Sequence, residues 1–145
     1  MSHPDPLTGD WRLQAWISEG DDGSSVLPLG ESPLGILVYS PDGTMITTIA
    51  PAGRPRLAST DPLHGGSDDE RLRAAETFVA YSGTYDYDGT DVTHTVEMSL
   101  YPNWVGTLQV RHVRLSDDGA TLELSTDPLT LAGRRSVQRL TWVRG

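Results

Sequence analysis

The chain has 145 residues, with 20 acidic against 11 basic side chains and a formal net charge of −9, a field that repels a phosphate backbone and argues against nucleic acid as a partner. It contains no cysteine, which removes disulfides and thiolate chemistry. No apolar run reaches the roughly 18 residues that a membrane helix needs, so no membrane partner is expected.

Residues 1–145 suit one domain with a real core, and 15 Gly and 10 Pro point to many turns between short strands. Residues 1–8 read as a loose leader. They lack a basic segment followed by an apolar one, so no secretory signal is visible and a cytoplasmic location is expected. "GDWRLQAWIS" (9–18) alternates, with Trp11, Leu13, Ala15 and Ile17 on one face and Arg12, Gln14, Trp16 and Ser18 on the other. That period of two is the mark of a half-buried strand. "GILVYS-PDG-TMITTIA" (35–50) is two strands joined at Asp42-Gly43. The same device recurs at Asp88-Gly89 and Asp118-Gly119, where glycine takes the positive φ of a tight hairpin. A further hairpin spans 99–111, and "SVQRLTWVR" (136–144) closes the chain as a strand.

One helix interrupts the series. Ser67 and Glu70 have the spacing of a capping box, in which each side chain satisfies an orphan amide of the first turn. Asp68 and Asp69 add negative charge at the positive end. The spacing of Leu72, Ala75, Phe78 and Val79 predicts an apolar stripe and a helix over 68–82, stopped by Gly83. One helix beside about eight strands in a meander predicts an all-β fold: an eight-stranded up-and-down antiparallel barrel with one inserted α-helix. Closure removes the exposed edges such a meander would leave, and eight strands leave an interior just able to hold one small ligand.

Gly9-Asp10-Trp11, "YSPDGTM" (39–45), "RPRLAS" (54–59), "YSGTYD" (81–86) and above all "THTVEMSLYPNWVGTLQVR" (93–111) together resemble the lipocalin-like domain family, over nearly the whole chain. The resemblance implies a barrel of the calycin type and small-molecule binding, and it assigns no catalytic set. Gly9-x-Trp11 also looks like the general lipocalin signature, in which a Trp at the barrel base packs against an Arg near the end. Arg144 or Arg139 could fill that place.

The 93–111 hairpin carries most of the candidate chemistry. A symmetric turn over 101–105 sets Glu97 opposite Gln109, with Arg111 within diagonal reach. Val92, His94, Val96, Met98 and Leu100 share one face with Leu108, Val110 and His112; Glu97 and Ser99 share the other with Gln109 and Arg111. Two readings stay open: the apolar face points inward, or Glu97, Gln109 and Arg111 anchor a ligand in an apolar cavity. On the second reading Glu97 and Arg111 form an inward charge pair. Ligand-binding candidates are then Tyr39, Tyr85, Glu97, Ser99, Trp104, Gln109 and Arg111. Trp104 is expected to fold over the cavity, and Tyr39 and Tyr85 offer phenols to a ligand carbonyl. Arg54 and Arg56 flank Pro55 in a loop, where solvation is the better account than an anion site at a barrel mouth. His94 and His112 are plausible neighbours without a third ligand on their face, so no metal is expected. No nucleophile elbow, phosphate loop or dinucleotide fingerprint occurs, and no cofactor is implied.

Three functions fit these features. The first is a barrel that binds an apolar or mixed small molecule. The second is a cofactor-independent isomerase, cyclase or lyase in which Glu97, Arg111 or Tyr85 does the chemistry. The third is a filled structural module. A homodimer is compatible with all three.

Overall fold

Local hairpins build the molecule almost without exception. The computed structural model describes residues 5–145. Its elements are β1 (Gly9–Gly20), β2 (Ser25–Val26), β3 (Pro33–Tyr39), β4 (Thr44–Pro51), α1 (Asp68–Glu76), β5 (Val79–Tyr87), β6 (Asp91–Ser99), β7 (Leu108–Leu115), β8 (Thr121–Ser125), β9 (Leu129–Leu131) and β10 (Arg134–Arg144). All pairings are antiparallel, and a β1–β10 ladder running from Trp11↔Arg144 to Gly20↔Ser136 closes the sheet. The closed barrel is β1, β3 to β8 and β10; the short β2 and β9 pair with β1 and β10 as flaps. The predicted eight-stranded antiparallel barrel with one helix is the fold observed. All three Asp-Gly turns fall where expected, with φ of 93° at Gly43, 95° at Gly89 and 71° at Gly119. Among the described residues, no helix is long and apolar enough to cross a membrane.

The helix is shorter than its apolar spacing suggests. Both halves of the Ser67–Glu70 capping box form, but α1 ends at Glu76 and buries none of its residues. The amide and hydroxyl of Thr77 both donate to Arg73 O, and Arg54 Nη2 donates to Ala74 O at 2.8 Å. Side chains thus take up the last carbonyls and close the helix early. Val79 to Gly83 belong to β5 instead, and Leu72 is exposed. Gly83 is no helix stop: a Cβ there would collide with Thr95 O of the neighbouring strand. Arg54 also lies over the Phe78 ring at 4.9 Å, so this arginine anchors the helix end.

Two bulges reset which side chains face inward. In β1 the register shifts between Leu13 and Ala15. One extra residue inverts the alternation beyond it, so Ser18 is buried and Trp16 half-buried while Ile17 lies outside. The expected inward face of 9–18 therefore holds only as far as Leu13. In the β5–β6 ladder, Gly83 pairs with Val96 and Ser82 with Met98, leaving Glu97 as the extra residue.

The 99–111 hairpin is offset as well. A 3-10 turn at Pro102–Trp104, with Gly106 N donating to Val96 O at 2.9 Å, replaces the symmetric turn. The ladder sets His94 opposite Gln109 and Val92 opposite Arg111. Glu97 opposite Gln109 would give a residue-number sum of 206, whereas His94 opposite Gln109 gives 203. An odd offset swaps faces, so Gln109 and Arg111 share the inner wall with His94 rather than with Glu97.

The barrel has one sealed end. Residues 5–8, expected to be loose, are tied down there: Leu7 is fully buried and its carbonyl accepts from Trp11 Nε1 at 2.9 Å. The Arg144 guanidinium lies 4.2 Å over the Trp11 ring and donates to Pro6 O, Thr8 O and Gly119 O. Arg144 rather than Arg139 therefore fills the place that the family signature implies. Arg139 bonds Glu19 and Glu123 with its side chain well exposed. The rest of the leader, 1–4, lies outside the described residues.

Candidate functional site

Above the sealed end, the inner wall holds a cavity of about 130 Å³, on the scale of the ~150 Å³ that accommodates one benzene-sized ring. Aliphatic and indole side chains line most of it, among them Leu37, Ile49, Leu124 and Leu140 with Trp16, Trp104 and Trp142. Toward the open end a second hollow of about 600 Å³ runs from Phe78 to Tyr101 and Ala132. Val79, Trp104, Arg111, Leu129 and Leu131 line both spaces. Leu129 and Leu131 reach this position on β9, whose tight turn into β10 places Ala132 at φ 52° and Gly133 at 73°. That hairpin carries no Asp-Gly signal.

At the base of the cavity His94 bridges two tyrosines. Its Nε2 lies 2.6 Å from the Tyr39 hydroxyl and its Nδ1 2.7 Å from the Tyr81 hydroxyl. β3, β5 and β6 each supply one member, and Tyr39 also packs on Tyr85 with ring centroids 4.5 Å apart. Burial, helped by the nearby Arg111 charge, lowers the His94 pKa to about 3. Burial raises both phenols above their usual range. The relay is therefore uncharged at neutral pH.

Proton accounting then assigns its direction. A neutral imidazole donates through one nitrogen and accepts through the other. Tyr39 is fully buried, and His94 is the one hydrogen-bond partner of its hydroxyl among the described residues. If it accepted from Nε2, its own proton would have no acceptor, at a cost of roughly 1–3 kcal/mol. Tyr39 thus donates to Nε2, Nδ1–H donates to Tyr81, and the Tyr81 proton is left over. Tyr81 lines the cavity. The chain of three side chains ends in a free O–H donor at an apolar hollow.

The opposite wall carries a closed polar set. Gln138 Oε1 accepts from Trp16 Nε1 at 2.8 Å, while its Nε2 donates to Ser136 Oγ and Ser18 Oγ. This amide is fully satisfied and positions Trp16. In the same wall, Trp142 Nε1 is the one buried side-chain polar atom without a partner among the described residues.

The candidate residues read from sequence divide by position. Tyr39 is buried beneath His94 rather than lining either space. Tyr85 belongs to the sealed end: its hydroxyl lies 3.0 Å from Asp5 Oδ2 and 2.9 Å from Ser40 O. Glu97 is exposed on the outside, and no carboxylate lies within ion-pair distance of Arg111 among the described residues, so the expected inward Glu97–Arg111 pair is absent. Ser99 and Gln109 line the outer hollow, and Trp104 and Arg111 line both spaces. Trp104 meets Tyr81 edge-on, with centroids 5.5 Å apart. Arg111 Nη2 donates to Gln109 Oε1 at 3.2 Å and Nη1 to Val110 O at 3.0 Å.

The two histidines expected as neighbours sit on opposite faces. His112 is outside, its Nδ1 2.9 Å from Asp91 and its Nε2 2.7 Å from Asp127. These two carboxylates raise its pKa. No cluster of three metal-ligating side chains occurs among the described residues. Tyr81, His94 and Trp16 line the cavity but are not among the ligand-binding candidates read from sequence, although one of the two readings of the hairpin turns the His94 face inward. For His94 a signal existed, a lone imidazole between Val92 and Val96 on an apolar face. For Trp16 none did, because nothing in "RLQAW" announces a bulge.

Two comparisons bear on this geometry. A 4'-hydroxy-3'-methoxypropiophenone carrier protein of Aspergillus oryzae is 43% identical over 86 residues, an alignment covering 53% of this chain and 76% of that protein. A family model described as the lipocalin-like domain matches residues 8–145. Barrel, sealed Trp11–Arg144 end and family match agree, and the chain belongs to the lipocalin-like domain family.

Proposed function

We propose that this protein is a small-molecule carrier that takes an aryl ketone into the barrel, with the ketone oxygen accepting from Tyr81. The observation that carries this reading is the free Tyr81 donor at an apolar cavity sized for one ring. An apolar wall with a few convergent polar groups is what a small-molecule site requires. The relative's name adds a ligand class: an aromatic ring bearing oxygen substituents and a propanoyl group, all of them hydrogen-bond acceptors. A catalytic role as an isomerase or lyase has less support. The Tyr81 end of the relay could act as an acid toward a carbonyl, but among the described residues no carboxylate lines the cavity, and both His94 nitrogens are engaged. An acid without a base does not move a carbon-bound proton.

Trp16, Trp104 and Trp142 line the cavity, so their emission reports its occupancy. Titration with 4'-hydroxy-3'-methoxypropiophenone should give a saturable change at one ligand per chain. An unchanged signal up to the solubility limit, with calorimetry equally silent, would remove the aryl ketone reading.

A further inference from the structure

We propose that the barrel takes its ligand as an anion, the ionised oxygen of an acyl-phenol seated on the Arg111 guanidinium. This rests on the carrier reading above and extends it to the ligand's ionisation state. Among the described residues, Arg111 is the one charged side chain lining the cavity and the outer hollow. The chain has 20 acidic and 11 basic residues, yet none of the acidic ones lines either space. Arg111 has no carboxylate within ion-pair distance among the described residues. Its contacts with Val110 O and Gln109 Oε1 fix the planar fork while occupying two of its five N–H groups. A guanidinium held in place and left without a counter-ion beside an apolar space is a site for an anionic oxygen, which it binds through short charge-assisted hydrogen bonds.

The adjoining groups fit the same ligand. Arg111 acts electrostatically on Tyr39, Tyr81 and His94, so its field reaches the floor of the cavity. The floor itself is neutral and offers the Tyr81 proton. An acyl group para to a phenol spreads the phenolate charge onto the ketone oxygen, which both acidifies the phenol and strengthens the ketone as an acceptor. One anion thereby meets Arg111 with its phenolate oxygen and Tyr81 with its ketone oxygen. On binding from neutral solution, the phenol O–H bond breaks, the proton goes to solvent, and Arg111 stays protonated.

The phenolate of 4'-hydroxy-3'-methoxypropiophenone absorbs at longer wavelength than the phenol, so its pKa can be read when free and when bound. The bound phenol should ionise about one pH unit or more below the free one. Arg111→Met should abolish that shift and weaken the phenol's binding about tenfold, while 3',4'-dimethoxypropiophenone, which cannot ionise, binds both proteins within about twofold. Arg111→Lys should retain part of the shift, keeping the charge without the fork. A bound pKa equal to or above the free value, with both ketones binding alike, overturns the anion proposal and leaves the carrier reading standing. Binding of neither ketone overturns both. Should Arg111→Met fail to fold, the bound pKa in the unaltered protein together with Arg111→Lys decides.

Discussion

His94 stands opposite Gln109 in the β6–β7 ladder, and from that one pairing the inner wall acquires an imidazole, an amide and, two residues on, a guanidinium. The imidazole is useful because of what holds it. Tyr39 and Tyr81 occupy both of its nitrogens, so it is fixed in orientation, and the single leftover proton appears on Tyr81.

That assignment separates two substitutions that look equivalent by composition. Tyr39→Phe removes the donor to Nε2 and leaves a buried acceptor unpaired, which should cost about 1–3 kcal/mol of stability. Ligand affinity should then stay within about threefold, because the Tyr81 proton is untouched. Tyr81→Phe should do the reverse. It should weaken aryl ketone binding about tenfold, at a smaller loss of stability, because the exposed Nδ1–H faces the cavity. Urea melts and fluorescence titrations on both variants check this. Unchanged affinity in Tyr81→Phe would mean that the relay runs in the other direction, with the Tyr81 proton spent on Nδ1.

The barrel was legible in the sequence because its signals are local. Asp42-Gly43, Asp88-Gly89 and Asp118-Gly119 each dictate a turn through backbone sterics alone, and each was found in place. The Ser67–Glu70 box fixed the helix start for the same reason. The helix end was not legible, because Arg54, 20 residues before Ala74, caps it from outside. The site was harder still. Which face lines a barrel depends on parity, and one inserted residue inverts parity for the rest of a strand. The bulges after Leu13 and at Glu97, with the 3-10 turn at Pro102–Trp104, are such insertions. They exchanged Trp16 for Ile17 and placed His94 beside Gln109 and Arg111. Residue types in the hairpin pointed to a site; pairing geometry decided its members.

The bulge at Glu97 depends on a close approach of backbones at Gly83, which suggests a severe substitution. A Cβ on Gly83 would meet Thr95 O and the Glu97 amide, atoms that cannot rotate away. Gly83→Ala should therefore force β5 and β6 apart at the place where Tyr81 and His94 must meet. A loss of about 3 kcal/mol or more is expected, beyond the ordinary range for a surface strand. Gly89→Ala is the control. Its φ of 95° is unfavourable to alanine, but nothing stands near its Cβ, so its cost should be clearly smaller. Chemical denaturation of the two variants gives the comparison, and a Gly83→Ala protein as stable as Gly89→Ala would show that β6 can yield there.

His94 gives the barrel a pH dependence of known sign. The folded protein holds this histidine neutral, with a pKa lowered to about 3 by burial first and by the Arg111 charge second, whereas the unfolded chain titrates near the ordinary value of about 6.5. Below pH 6.5 the unfolded chain therefore takes up a proton that the folded chain refuses. The favourable contribution is complete above 6.5 and is lost as pH falls toward 3, at about 1.4 kcal/mol per pH unit. His112 runs the other way: its pKa is raised by Asp127 and Asp91, so its contribution is complete below 6.5 and lost as pH rises through the folded value. Asp22, Glu70, Asp88 and Asp118, whose hydrogen bonds lower their pKa, lose their contributions only below the ordinary carboxylate range of about 4. Between pH 6.5 and 5 the loss accordingly belongs to His94. Urea midpoints at these two values should show the unaltered protein losing about 2 kcal/mol more than His94→Gln. Parallel pH profiles for the two proteins would mean that His94 is protonated in the fold, and the Tyr39–His94–Tyr81 proton assignment would fall with it.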